Sequence, residues 1–160
     1  MMRVTRLSRC AFLIGLLTAF VGSAALAQGD AFNGTWKLNV AKSTYNPGPG
    51  PKDQTIVIAG TDAARKISVD LTPQNGNAVH WEVAGAVGAQ LPVVGTNPNA
   101  DTYVFTRINA TTLEAQYLRE GKPTIKQTAV ISADGRTLTV TATGTNAQGG
   151  AVNNVAVYDK

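Results

Sequence analysis

From residue 34 onward, apolar and polar side chains alternate segment after segment, and no stretch of ten or more residues carries a helical stripe. Trp36-Leu38-Val40 alternates with Thr35-Lys37-Asn39, and Ile67-Val69-Leu71 with Lys66-Ser68-Asp70. Val79-Trp81-Val83 alternates with His80-Glu82, and Leu138-Val140-Ala142 with Thr137-Thr139-Thr141. In an extended chain successive side chains point to opposite faces, so each run has one buried face and one wet face. Val, Ile and Thr dominate these runs, because branching at Cβ suits a pleated surface. Turn chemistry separates them: Gly60-Thr61-Asp62, Pro73-Gln74-Asn75-Gly76-Asn77, Thr96-Asn97-Pro98-Asn99, Asn109-Ala110-Thr111, Glu120-Gly121-Lys122, Asp134-Gly135 and Asn146-Ala147-Gln148-Gly149-Gly150. The Asn75-Gly76 pair is of the kind whose positive φ angles make a tight hairpin.

The runs fall at 34–40, 54–59, 65–72, 78–86, 91–94, 101–108, 112–119, 123–132, 136–143 and 151–159. Their links are short, so consecutive strands are expected to pair as neighbours. No helical segment could cover one face of such a sheet, so the sheet must bury that face on itself. These constraints predict an all-β domain: a single up-and-down antiparallel β-barrel of about 8–10 strands. A flattened, sandwich-like barrel whose walls touch is the alternative. About eight strands make an interior that side chains can just fill, and diameter grows with strand number. The expected inward positions are mainly Val, Leu, Ile and Ala, a light lining that leaves room for water or an apolar guest. Ser43-Thr44-Tyr45-Asn46-Pro47-Gly48-Pro49-Gly50-Pro51 can be neither helix nor strand, since proline fixes φ and removes a donor. It reads as a connector over the barrel rim or as a strap across a cavity mouth.

Residues 1–27 have the three parts of a cleavable signal peptide. Arg3, Arg6 and Arg9 make a basic start, an apolar run covers residues 11–21, and Ala25-Leu26-Ala27 is a small-x-small cleavage signal. The apolar run is well short of the roughly 20 residues that span a bilayer, so no stable membrane insertion is expected after cleavage. Cys10 precedes the run and is not placed to accept a lipid. Export to a periplasm or the outside is the expectation, with residues 28–160 as one domain. Cys10 is the only cysteine, so that domain has neither disulfides nor thiolate chemistry. The formal charge of +4 includes the three leader arginines, and without them the domain is nearly neutral. Its Lys and Arg are scattered singly, which argues against nucleic acid as a partner.

The stretch Phe32-Asn33-Gly34-Thr35-Trp36-Lys37-Leu38 opens the first strand with one of only two tryptophans. A glycine two residues ahead lets the chain bend sharply, and the indole can close the bottom of a barrel, a large plug with one donor at its edge. With the meander and the terminal Val157-Tyr158-Asp159-Lys160, this stretch resembles the calycin superfamily. Within it the chain is similar to lipocalin-like and fatty-acid-binding-protein-like barrels, notably small exported bacterial proteins. The resemblance implies a closed barrel that takes a small hydrophobic or amphipathic ligand. Two departures accompany it. The two-helix lid of the fatty-acid-binding proteins is replaced by the proline-glycine connector. The arginine that precedes the terminal-strand tyrosine there is Ala156 here.

Catalytic residues are not indicated, and the chain reads as a non-enzyme. His80, the single histidine, shares a solvated face with Glu82, and no G-x-S-x-G elbow accompanies the serines. One histidine with dispersed acids makes no metal site. No phosphate cradle is followed by a helix, so no cofactor is expected. Binding is better supported. Trp36, Leu38, Trp81, Tyr103, Phe105, Tyr117 and Tyr158 are the candidate pocket-lining residues, with core packing as each one's alternative role. Arg107 and Arg119 share the faces of Tyr103-Phe105 and Tyr117; inward they would meet a ligand's anionic group, outward they are surface charges. The leading function is carriage of a small apolar or amphipathic molecule in the lumen. The alternative is an interaction module that acts through its rim loops without an internal ligand.

Overall fold

The structure is a computed structural model that describes residues 29–160, so the expected signal peptide at 1–27 lies outside the described residues. Eleven strands form one antiparallel sheet. They are β1 (Gly34–Leu38), β2 (Asp53–Thr61), β3 (Ala64–Thr72), β4 (Val79–Gly85), β5 (Gln90–Pro92), β6 (Val94–Gly95), β7 (Thr102–Asn109), β8 (Thr112–Arg119), β9 (Lys122–Ile131), β10 (Thr137–Thr145) and β11 (Ala151–Asp159). The sole helical element among the described residues is a 3-10 turn at Val40–Lys42, whose start is capped by the Asn39 side chain accepting from the Lys42 amide.

Around the sheet the order is β5-β7-β8-β9-β10-β11-β1-β2-β3-β4-β6. The first strand therefore pairs with the last, with Lys37 opposite Asp159 and Leu38 opposite Tyr158. The seam is extended beyond β1, where the Asn39 amide donates to Val157 O and Thr44 bridges Val155. The barrel is nearly closed. Its interruption lies between β4 and β7, which no ladder joins.

The residues expected as one strand at 91–94 cross that interruption as two. Leu91 sits opposite Tyr103 on β7, whereas Val94 and Gly95 sit opposite Glu82 and Trp81 on β4. Between them the Val93 amide donates to Asp101 O, outside either ladder. Gly95 is required here: its φ is +102°, and a Cβ would lie 2.4 Å from His80 O. The expected tight hairpin is also elsewhere. At Asn75-Gly76 only the glycine has positive φ, whereas Glu120 and Gly121 both do, at 52° and 72°. Those angles make a two-residue type I′ turn with Arg119 opposite Lys122, whose twist matches that of the flanking strands.

The alternation read from sequence becomes the two faces of the wall. Ile67, Val69, Trp81, Val83, Tyr103, Phe105, Leu138 and Val140 are buried, while their odd-phase neighbours face out. Gly34 adopts φ +141° and turns the chain so that Trp36 enters the interior fully buried. The indole N–H donates to Phe32 O at 2.8 Å, so burial leaves no orphan donor. The Lys160 ammonium lies 4.8 Å from the ring centroid and covers it from outside. Trp36 and Phe32 thus form the floor of the barrel. Replacing Trp36 with Ala should cost about 3–5 kcal/mol of unfolding free energy, read as a shift in the urea midpoint, because the floor cannot collapse onto the space left.

Candidate functional site

Below the floor lies a network of four charges. Arg65 continues the inward face of Ile67 and Val69, and its side chain is completely buried. Its guanidinium donates to Asp30, and at 2.7 Å to Asp62. Arg107 donates to Asp30 and makes a two-pronged contact with Asp62, at 2.6 and 3.0 Å. A bulge between Arg107 and Asn109 turns the end of β7 toward this cluster. Phe32 roofs it, with the Arg107 and Arg65 guanidinium carbons 5.0 and 6.0 Å from its ring centroid. The hydrogen bond from Arg107 holds the Asp62 carboxyl at about 2, although burial pushes the other way. For Asp30 burial raises the pKa, and the bonds from Arg65 and the Phe32 amide outweigh it, so the net direction is down. Arg107 is therefore neither a ligand anchor nor a free surface charge. Arg119 is outside the lumen and donates to Pro98 O.

Above Phe32 the barrel encloses an inner chamber of about 80 Å³. Next to it lies a mouth cavity of about 450 Å³, between the Tyr45–Pro51 segment and the 96–99 loop. Gln54, Trp81, Tyr117, Gln127, Val140 and Tyr158 line both, so the two share a wall and together form the lumen. The chamber is narrower than the aliphatic lining implied. Rings fill the middle: Tyr103 stands 5.2 Å from Trp81, 5.7 Å from Phe105 and 4.0 Å from Tyr117, centroid to centroid. Above Phe32 the larger free space consequently lies at the mouth.

The polar groups inside are neutral. Asn97 reaches in from the rim loop and donates to the Tyr103 hydroxyl at 2.8 Å. The Tyr158 hydroxyl donates to Gln54 Oε1 at 3.1 Å. Burial pushes the Tyr103, Tyr117 and Tyr158 hydroxyls upward, so all three stay protonated at any physiological pH. The Tyr45–Pro51 segment is pinned to β11. Asn153 N donates to Asn46 O at 2.7 Å, and Asn46 N to Asn154 Oδ1 at 2.9 Å.

Of the residues singled out from sequence, Trp81, Tyr103, Phe105, Tyr117 and Tyr158 line the lumen. Trp36 and Leu38 do not. β1 is short and crosses the lower end of the barrel, where Trp36 is floor and Leu38 packs against the core. Their ladder neighbours Ile56 and Tyr158 take the lining positions. Sequence reasoning missed Gln54, Gln127 and Asn97, as well as Arg65. The two glutamines were detectable as polar residues in phase with apolar inward ones, Gln54 with Ile56 and Ile58, Gln127 with Ile125 and Ala129. Asn97 sits in a turn, where alternation says nothing. His80 is on the outer face, paired with Asp70 at 2.8 Å. Among the described residues no three His, Cys, Asp or Glu gather as a metal site.

No protein-family profile matches the chain, and comparison with curated proteins finds no match. Among solved structures it is similar to a crystal structure of zebrafish ileal bile acid-binding protein complexed with cholic acid. That similarity covers 81% of this chain and 98% of the other at 18% identity, with a TM-score of 0.48.

Removing one arginine from the network strands the carboxylates it served. Arg65→Met should destabilise the fold by roughly 3 kcal/mol, the low end for breaking a buried pair, because Asp62 remains half exposed. The Asp62 carboxyl is lower in the folded state than its ordinary 3.8. Its contribution is therefore complete above about pH 4 and is lost as pH falls toward about 2. Asp62→Asn should flatten the acid limb of stability in that window and leave the limb above pH 5 unchanged, as followed by circular dichroism during acid titration.

Proposed function

We propose that the protein is an exported, non-enzymatic carrier that holds a small apolar or amphipathic molecule in the lumen of its barrel. The observation that supports this most directly is the mouth cavity of about 450 Å³, which shares its wall with the inner chamber. Its size falls in the range of small-molecule sites, and its wall has their composition: aliphatic and aromatic surfaces with a few placed hydrogen-bonding groups. The floor closes the opposite end, so a guest enters and leaves through the mouth. The basic start, short apolar run and Ala25-Leu26-Ala27 signal of the first 27 residues support export.

Native mass spectrometry of protein purified from its own host tests the reading. A mass increment above a chain that begins at Gln28, released on unfolding, is the expected result. A bare mass, from protein that also takes up no hydrophobic dye, would overturn carriage, and a retained leader would overturn export. Ala142 lies on the wall of the mouth, so Ala142→Phe should fill it and weaken dye uptake by about tenfold or more, while the urea midpoint falls by no more than the equivalent of about 1–3 kcal/mol.

A further inference from the structure

The chemistry of the lumen narrows what it can hold. We infer that its ligand is uncharged, a compact apolar or ring-containing body that carries hydroxyl or carbonyl groups. The inference rests on the carrier reading above and adds the class of ligand to it.

No side chain that lines the inner chamber or the mouth bears a charge. In a domain with eleven Lys and Arg between residues 37 and 160 and ten acidic residues, that segregation needs explaining. The arginines nearest the lumen are committed elsewhere. Arg65 and Arg107 are neutralised by Asp30 and Asp62, and the Phe32 ring stands between them and the chamber. Arg119 serves the Pro98 carbonyl, and Lys126 pairs with Glu114 on the outer wall at 3.0 Å. A carboxylate or phosphate that entered the lumen would give up its hydration and find no cation.

An organic cation would fare no better. No carboxylate faces the lumen, so an aromatic cage would have to hold it. The rings are not arranged as one, because Tyr103 packs between Trp81 and Tyr117 and its faces are used by its neighbours.

The lumen does offer neutral hydrogen bonding. Gln54 uses its oxygen for Tyr158 and leaves its amide nitrogen without a protein acceptor among the described residues. Gln127 and the Tyr117 hydroxyl stand at the same level, where the chamber meets the mouth. These groups can donate to a carbonyl or exchange bonds with a hydroxyl, and they cost little when the guest supplies the partner.

Three probes of one shape and different charge test this: naphthalenemethanol, naphthoate and naphthylmethylammonium, titrated calorimetrically into the mature domain at neutral pH. The alcohol should bind at least about tenfold more tightly than either ion. A rim variant provides the converse. Val152 is half-buried at the mouth, so Val152→Arg should raise naphthoate affinity by about tenfold and leave the alcohol nearly unchanged. Equal or tighter binding of either ion to the unaltered domain overturns the inference and leaves carriage standing. So does a Val152→Arg protein that takes up the alcohol but gains nothing for naphthoate. Uptake of none of the three at concentrations on the order of millimolar removes the carrier reading, and the inference falls with it.

Discussion

A sheet with one apolar face and no helix among the described residues to cover it must bring its own edges together, and the seam between β1 and β11 is where it does so. The ladder there is short, with two residue pairs, yet it is reinforced by the Asn39 amide and the Thr44–Val155 bridge just beyond the strand. Closure at this seam turns the inward phase of every strand toward a common axis. The other side is handled differently. β4 and β7 never pair, and the segment from Gln90 to Gly95 leans across the interval, bonded first to one edge and then to the other. The cylinder is thereby covered without a complete ring of hydrogen bonds.

Charge is sorted along the axis of this cylinder. Four ionised groups gather under the floor, where Asp62 and Arg107 keep a path to water and Arg65 has none. Arg65 Nε and Nη1 find no acceptor among the described residues, so the cluster carries a desolvation cost as well as its attraction. Its clearest physical effect is positional: it ties the chain before β1 to the β2–β3 turn and to the end of β7, and holds Phe32 across the bottom of the chamber. Above that ring everything is neutral. The lumen is therefore a place of low polarity with a handful of hydrogen-bonding groups, supported from below by ions that it does not touch.

The strand runs were legible because period two leaves little freedom. Once Ile67 and Val69 are inside, Arg65 and Leu71 must share their face, and the residues between them must not. The Pro-Gly connector and the outward His80 were legible for the same local reasons, whereas Trp36 read both as a plug and as a lining residue and only the fold made it the floor. Legibility failed where the pattern has no local carrier. Arg65 stands in the inward phase, but only the approach of Asp30 and Asp62 from other parts of the chain makes that position tolerable for a cation. The division of residues 91–94 into two strands depends on which edges lie on either side. The tight I′ turn formed at Glu120-Gly121 and not at Asn75-Gly76, because the register between Arg119 and Lys122 leaves two residues for the turn, whereas the β3–β4 link has more chain to spend.

What the amino-acid order determined by itself was most of the wall: where the strands run and, where alternation is clean as in β3, β4 and β10, which phase faces in. Those properties follow from the pleat and from sterics within a few residues. What only the tertiary structure decided was the lumen. Its size depends on four rings from three strands meeting at mid-height, and its neutrality on arginines and aspartates far apart in sequence cancelling below a phenylalanine. Cavities and charge pairing are sums over groups brought together by closure, and no single segment contains them.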